Sequence, residues 1–275
     1  MNADKERNMV AINIKTLLES GVHFGHQTRK WNPKMKKFIF GARNKIHILD
    51  LQKTIREIKR AYRYVKDEVA AGKTVLFVGT KPQAAQTIKT EAERCGAFYV
   101  NQRWLGGTLT NFETIKKSIQ KMEQMEKMQA DGMMAKLSKR EATRLIKRLT
   151  KLQNAMAGIR AMKELPGIVF IVDTVKEAIA LREARAMKIP VIAVCDTDSD
   201  PEQVDYPIPA NDDAIRSIKL ICSIVADAVI EGLQARGDKP DQEKALAPEV
   251  PIAEPLTDRE MEQPIVLGES EVKPS

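Results

Sequence analysis

The sequence predicts an α/β protein with a doubly wound parallel sheet, interrupted by a helical hairpin. Two observations lead to this fold class. Short apolar runs of strand length, such as IVFIV at 168–172 and VIAVC at 191–195, alternate with longer segments of helical periodicity. Continuous apolar runs are typical of parallel strands buried on both faces. Strands that alternate with helices imply crossovers that place helices on both faces of the sheet.

The alternation begins near residue 53 and resumes after residue 166. In residues 53–71, apolar side chains recur every three or four positions and Gly72 follows, so this segment predicts an amphipathic helix. The elements expected after it are a strand at 74–79, a helix from Pro82 to about 94, strands at 97–100 and 168–172, a helix at 175–187, a strand at 191–195 and a helix at 212–232.

Residues 108–163 carry no strand pattern and predict an antiparallel coiled-coil hairpin. In the second half, apolar residues recur at spacings of three and four, which is typical of a coiled-coil seam; they are Ala142, Leu145, Leu149, Leu152, Met156 and Ile159. A similar stripe begins in the first half with Phe112, Ile115, Ile119 and Met122. Asp131 and Gly132 separate the two predicted helices.

The chain therefore divides into three parts. We expect an α/β body formed by residues 1–107 and 164–236, the helical insertion at 108–163, and a tail at 237–275. The tail has no aromatic residue, six of the chain's 13 prolines, and 10 acidic against 4 basic residues. Such a segment cannot bury enough apolar area to offset the cost of ordering, so we predict that it is disordered.

Charge is distributed unevenly along the 275 residues. The chain has a formal net charge of +8, but residues 1–110 carry +12 and residues 111–165 carry +7. Residues 166–236 carry −5 and the tail carries −6. A basic first part and an acidic second part indicate a polyanionic partner on one face, most simply a nucleic acid. The acidic second part is a candidate surface for protein partners.

Composition excludes several classes of protein. The longest apolar runs are far shorter than the roughly 18 residues that a membrane helix needs, so no membrane partner is expected. The three cysteines are widely spaced, which favours neither a disulfide scaffold nor a cysteine zinc site. The first residues, MNADKERNMV, show no apolar leader pattern. These features favour a reducing, cytoplasmic location.

Two segments combine basic and aromatic residues in the way that RNA-binding loops do. Residues 26–48 place seven Lys and Arg side chains around Trp31, Phe38 and Phe40, and residues 101–111 place an arginine and a tryptophan before two glycines. Cations can bind phosphates, and aromatic rings can stack on unpaired bases. With the basic faces of the hairpin, the predicted RNA-binding residues are Arg29, Lys30, Trp31, Lys34, Lys36, Lys37, Arg43, Asn44, Lys45, Arg103, Trp104, Lys116, Lys117, Arg144, Lys147 and Arg148.

An alternative function is suggested by the acidic pattern Asp196, Asp198 and Asp200, which follows a predicted strand. A magnesium-dependent phosphohydrolase would use the first two as nucleophile and acid. The surrounding sequence does not match such enzymes, and loop capping or one weakly bound cation is favoured. His23 and His26 flank Gly25, which argues against a helical pair of zinc ligands. We predict no catalytic residue, no cofactor, no metal and no small-molecule substrate.

Several motifs resemble one known family. The segments 21–54, 77–84, 101–115, 189–201 and 207–220 resemble, in order, the bacterial-type small-subunit ribosomal protein two family, over roughly residues 10–232. The resemblance implies a flavodoxin-like body with a coiled-coil hairpin and no enzymatic activity. It also implies binding to small-subunit ribosomal RNA beside neighbouring ribosomal proteins. A further implication is that the chain helps dock small-subunit ribosomal protein one, which assists messenger RNA capture. The expected location is the cytoplasmic ribosome, with a plastid ribosome left open.

Overall fold

A computed structural model of the chain describes residues 13–238. Its centre is a five-stranded sheet in which every neighbouring pair is parallel. The strands are β4 (Val75–Val78), β5 (Phe98–Val100), β6 (Ile168–Val172), β7 (Val191–Cys195) and β8 (Tyr206–Pro209), in the spatial order β5-β4-β6-β7-β8. Renumbered from the first of these, the order is 2-1-3-4-5, which is that of flavodoxin-like folds. The predicted α/β class is confirmed.

Two apolar layers cover the sheet. Every residue of β4, β6 and β7 is buried, as their continuous apolar sequences predict. Phe77 and Phe170 pack with helices α2 (Leu51–Ala70), α3 (Pro82–Cys95) and α7 (Ile215–Arg236) on one face. Their neighbours Leu76 and Val169 pack on the other face with α6 (Ala178–Ala186) and the helical insertion. Side chains alternate along each strand, so one apolar run serves both layers.

The insertion consists of two helices that pack on one another, α4 (Phe112–Ala130) and α5 (Lys139–Met156). Met122 and Leu149 are buried in the same apolar cluster, and Gln153 donates a hydrogen bond to Glu126 at 2.9 Å. Gly132, with φ of 67°, forms the turn after α4. The helical pair has the predicted positions, and its coiled-coil character stays a prediction.

A second, smaller sheet precedes the body. After α1 (Ile14–Glu19), strands β1 (Phe24–Gln27), β2 (Ile39–Arg43) and β3 (Ile46–Leu49) pair antiparallel in the order β1-β3-β2. The composition of residues 41–44 is typical of a loop. Instead, β2 and β3 form a hairpin whose turn is Asn44 and Lys45, with φ of 53° and 63°. Two successive residues in the left-handed region match a type I′ turn, which suits the twist of paired strands.

Other elements differ from expectation. The strand β8 is not expected from its sequence, YPIP, because it has two prolines. An edge strand tolerates them, since one side of it has no partner. Helix α6 begins at Ala178 rather than at 175, because Asp173 accepts hydrogen bonds from the backbone N–H groups of Val175 and Lys176 and holds a turn. The predicted disorder beyond residue 238 lies outside the described residues.

Candidate nucleic-acid interface

The small sheet and the 3-10 helix before β2 present most of the predicted RNA-binding residues. Asn32 begins this 3-10 helix (Pro33–Phe38) by accepting a hydrogen bond from the N–H of Lys34 at 3.0 Å. Met35 and Phe38 are buried, which turns Lys36 and Lys37 outward. Arg43, Asn44 and Lys45 are exposed at the tip of the β2–β3 hairpin.

Six cations of this segment form what we call the N-terminal basic surface. All six are exposed, and none makes an ion pair with any residue between 13 and 238; they are Arg29, Lys30, Lys36, Lys37, Arg43 and Lys45. The guanidinium of Arg29 donates only to Gln27, at 2.9 Å. Cations without ion-pair partners keep their charge available for an external anion.

Lys34 differs from its neighbours. Its ammonium lies 3.0 Å from Asp200 and 2.6 Å from Glu202. These carboxylates, through their hydrogen bonds and charge, raise the lysine pKa above its usual value. The contact ties the 3-10 helix to the loop after β7, so the structure gives Lys34 a positioning role that its place in the sequence does not indicate.

Two aromatic side chains of the segment are accessible. Trp31 is 37% exposed and its ring centroid lies 5.3 Å from that of His47. Phe40 is 81% exposed on β2. By contrast, Phe38 is buried. A large exposed apolar ring costs hydration free energy and is typical of a contact surface, and the contact of Trp31 with RNA stays a prediction.

The loop 101–111 buries its tryptophan. Trp104 is 8% exposed, and its indole N–H donates to Oε1 of Glu183 at 3.1 Å. The same carboxylate accepts the N–H groups of Gly107, Leu109 and Thr110 at 2.8–3.2 Å. Trp104 is therefore packed against the body of the protein in this structure, and its contact with RNA stays a prediction.

The environment of Glu183 explains why an acid is buried beneath this loop. Burial raises the pKa of its carboxyl group, but hydrogen bonds from Trp104 and from three backbone N–H groups outweigh burial, and the net pKa is lowered. Arg103, one residue before Trp104, is exposed. Glu183 thus holds the loop and leaves Arg103 facing outward.

The cations of the helical pair fall into two groups. Lys116 is half-buried, 3.0 Å from Glu113 and 4.8 Å from the ring centre of Phe112, so part of its charge is used internally. Lys117 is exposed on the same helix. Arg144, Lys147 and Arg148 are exposed on α5 and line an open groove of about 500 Å³.

A second cluster of charges lies where the parallel strands end. His26 Nδ1 is 3.1 Å from Asp196, and Nε2 is 3.9 Å from Asp198 and 3.7 Å from Asp213. The hydrogen bond with Asp196 is the main reason that the pKa of His26 rises to about 9, against the opposing effect of burial. The imidazole is therefore a cation at neutral pH and joins β1 to the end of β7.

Lys81 is the other cation of this edge. Its ammonium lies 3.1 Å from Asp173, 2.8 Å from Asp212 and 2.6 Å from Asp213. Burial and the neighbouring carboxylates raise the pKa of Asp212 to about 7, although Lys81 opposes the shift. No local pattern could predict this cluster, because Lys81 and Asp212 alone are 131 positions apart in the chain.

The chemistry open to this cluster is limited. Within residues 13–238, His26, Asp196 and Asp212 form the one set of possible metal ligands, with atoms within 4.8 Å of one another. Asp196 is 1% exposed. One of its oxygens accepts N–H groups from His26 and Thr197, and the other pairs with the imidazole. An oxygen so engaged is a poor nucleophile, so the geometry favours a structural loop over the phosphohydrolase alternative.

No helix between residues 13 and 238 is long and apolar enough to cross a bilayer.

The small sheet and its loops carry exposed cations, and internal ion pairs lie at the ends of the parallel strands. A family model described as Ribosomal protein S2 matches residues 17–232. A curated protein of Endomicrobium trichonymphae, named small ribosomal subunit protein uS2, is 56% identical over 233 residues, which are 85% of this chain and 96% of that protein. A protein of the same name from the Nichols strain of Treponema pallidum is 57% identical over 231 residues, which are 84% of this chain and 79% of that protein.

These similarities identify the class as ribosomal proteins of the small subunit. The chain belongs to the ribosomal protein S2 family. The resemblance drawn from the sequence motifs is confirmed.

Proposed function

We propose that this protein is a structural constituent of the small ribosomal subunit and that it binds ribosomal RNA through the N-terminal basic surface. One observation carries the RNA contact. The six cations of that surface stand exposed along a segment made of a paired sheet, a capped 3-10 helix and the loop between β1 and that helix, without ion-pair partners among residues 13–238. The phosphate backbone is the polyanion that such a surface fits.

In this proposal the basic side chains bind phosphates and the aromatic side chains stack on bases. Lysine and arginine bind phosphates without regard to sequence. Trp31 and Phe40 supply exposed rings on the same segment, and a ring can stack on a base that is not paired. Exposed Asn44 would add a polar contact at the tip of the hairpin, and exposed Arg103 would add a contact on the loop 101–111.

The helical pair extends the proposed interface. Arg144, Lys147 and Arg148 lie within a span of five residues on α5 and remain exposed. Lys117 is exposed on α4. Lys116 and Lys34 contribute less, because each already pairs with an acid of this chain. The α/β body then serves as a scaffold, with no catalytic step assigned to it.

The test is association with small subunits by sedimentation of tagged full-length protein. A triple variant, Lys36→Gln, Arg43→Gln and Lys45→Gln, removes three exposed charges of the surface. The matched control, Lys176→Gln, Arg182→Gln and Arg185→Gln, removes three exposed charges from the acidic part of the chain. The first variant should bind about tenfold more weakly or worse than wild type, and the control should bind normally. Equal binding by both would contradict the proposal.

The resemblance also motivates a protein partner, small-subunit ribosomal protein one. Three aliphatic side chains near the ends of the parallel strands support a protein contact there, since Val175, Ile179 and Ile215 are 49–60% exposed. Lys81 links the segments that carry them, by pairing with Asp173 and Asp213. We propose this apolar patch, in the acidic part of the chain, as the docking surface.

Quantification of protein one on purified subunits tests this second part. Val175→Ser with Ile179→Ser should lower the amount of protein one retained. Ile14→Ser with Leu18→Ser is the control, because those residues are 44% and 47% exposed on α1. An unchanged amount of protein one on subunits that carry the first variant would contradict the proposed docking surface.

A further inference from the structure

Helix α2 carries a second cluster of cations that none of the RNA-binding predictions included. Arg56, Lys59, Arg60 and Arg63 recur at spacings of three and four, so they share one face of the helix. The three arginines are exposed, while the opposite face is buried against α7. Together with two tyrosines, they line a hollow of about 310 Å³.

Two stacked tyrosines line this hollow. The rings of Tyr64 on α2 and Tyr206 on the edge strand β8 stack, with centroids 4.2 Å apart and planes 19° from parallel. The guanidinium of Arg60 lies 5.1 Å from the centre of the Tyr206 ring. A guanidinium held over a ring loses less conformational freedom when it binds an anion.

The charges of the hollow are barely neutralised. Glu57 approaches Arg60 at 3.7 Å. Arg56, Lys59 and Arg63 make no ion pair with a residue of the described chain. The nearby acids are engaged elsewhere, since Glu68 pairs with Lys73 and Asp205 accepts the N–H of Val191 at 2.8 Å.

We propose that this face of α2 is a second contact surface for the phosphate backbone of ribosomal RNA, separate from the N-terminal basic surface. The inference rests on the proposed function and extends it to another part of the chain. Arg56 and Arg63, seven residues apart, are separated by roughly 10 Å along the helix axis. That distance lets one stretch of backbone contact both arginines.

The chemistry favours RNA over an acidic protein. Three of the four cations are arginines, whose planar donors match phosphate oxygens in pairs. A protein interface has an apolar centre, and none of the exposed large apolar side chains between residues 13 and 238 lies on α2. The rings of Tyr64 and Tyr206 stack on one another and Arg60 lies over Tyr206, so these ring faces are already occupied. Contacts between the cations and the phosphate backbone carry no base preference.

The first test measures rebinding of full-length protein to small subunits from which it has been stripped, over a range of salt concentrations. Arg56→Gln with Arg63→Gln removes two charges that have no ion-pair partner among residues 13–238, whereas Arg182→Gln with Arg185→Gln removes two exposed arginines of α6. The α2 variant should bind about tenfold more weakly, with a salt slope smaller by roughly 1 to 2. The α6 variant should match wild type.

The second test identifies what the surface touches. Asp67 is exposed four residues after Arg63, and the natural cysteines Cys95, Cys195 and Cys222 are buried. A photo-crosslinker on Asp67→Cys therefore reacts from one position. Crosslinks to ribosomal RNA support the inference.

Three outcomes oppose it, in distinguishable ways. Wild-type affinity and salt slope in the α2 variant overturn the α2 surface alone. Crosslinks to protein only assign the surface to another class of partner and overturn it as well. If wild-type protein fails to rebind subunits at any salt concentration, the proposed function fails together with this inference.

Discussion

The indole N–H of Trp104 donates a hydrogen bond to Oε1 of Glu183 at 3.1 Å, and this pair holds the loop that leads into α4. Glu183 lies on α6, 79 positions later in the chain, and its other oxygen accepts the N–H groups of Leu109 and Thr110. The glycines at 106 and 107 and the tryptophan therefore form an architectural loop. Arg103 beside them is exposed, and its contact with RNA stays a prediction.

Removing the charge of Glu183 should destabilise the protein. In Glu183→Gln, an amide NH₂ group would face backbone N–H donors that now bind a carboxylate oxygen. We expect the free energy of unfolding to fall by about 2–4 kcal/mol, measured by urea denaturation. Glu164→Gln, at an exposed acid, is the control and should change little. Equal stabilities for the two variants would contradict the role given to Glu183.

The same carboxylate should make stability depend on pH in the acid range. Its folded pKa is lowered from the usual 4.5, so the unfolded chain takes up a proton first as the pH falls. The stabilisation is therefore complete above the unfolded pKa and is lost as pH falls through the lower folded value. The difference in unfolding free energy between wild type and Glu183→Gln should shrink below about pH 4. A difference in unfolding free energy that grows as the pH falls would contradict this prediction.

Substitution of Lys81, at the ends of the parallel strands, should strongly destabilise the protein. Its side chain is 12% exposed, and its ammonium contacts Asp173, Asp212 and Asp213. Lys81→Gln would leave three carboxylates facing one another, with an expected loss of about 3–5 kcal/mol. Thermal unfolding of this variant beside Lys176→Gln, an exposed lysine, measures the effect. Near-identical melting temperatures would show that Lys81 does not hold this edge together.

Gly25 lets the small sheet approach the body. A Cβ atom there would lie 2.5 Å from Cγ2 of Thr197, which is fully buried, whereas a Cβ atom at Gly41 would meet nothing within 4 Å. Gly25→Ala should cost about 1–3 kcal/mol and weaken subunit binding by tilting the N-terminal basic surface. Gly41→Ala should do neither. Calorimetry and sedimentation of both variants provide the test, and wild-type behaviour of Gly25→Ala would refute the close approach.

The sequence predicts the central sheet well because the apolar runs of β4, β6 and β7 need no tertiary information. Each run consists of apolar residues only, and this predicts that the strand is buried on both faces. The sequence does not predict edge strand β8, because its two prolines are compatible with a strand only at the edge of a sheet. The β2–β3 hairpin is missed because Asn44 and Lys45 lack the glycine that marks most type I′ turns.

The candidate interface is predictable only in part. Exposed cations of residues 29–45 follow from composition, because charged side chains rarely lie inside a protein. The internal partners of Lys34 and Trp104 cannot be predicted from composition, because Asp200 and Glu183 lie far along the chain. For the same reason, the His26–Asp196 pair, separated by 170 positions, is visible only in three dimensions.

The most direct test of the account is sedimentation of the tagged wild-type chain in a cell lysate at low and at high salt. Binding through exposed cations predicts that the protein travels with the small subunit at low salt and is released at high salt, because counterions compete for the phosphates. A chain that stays at the top of the gradient at both salt concentrations would contradict its proposed place in the subunit.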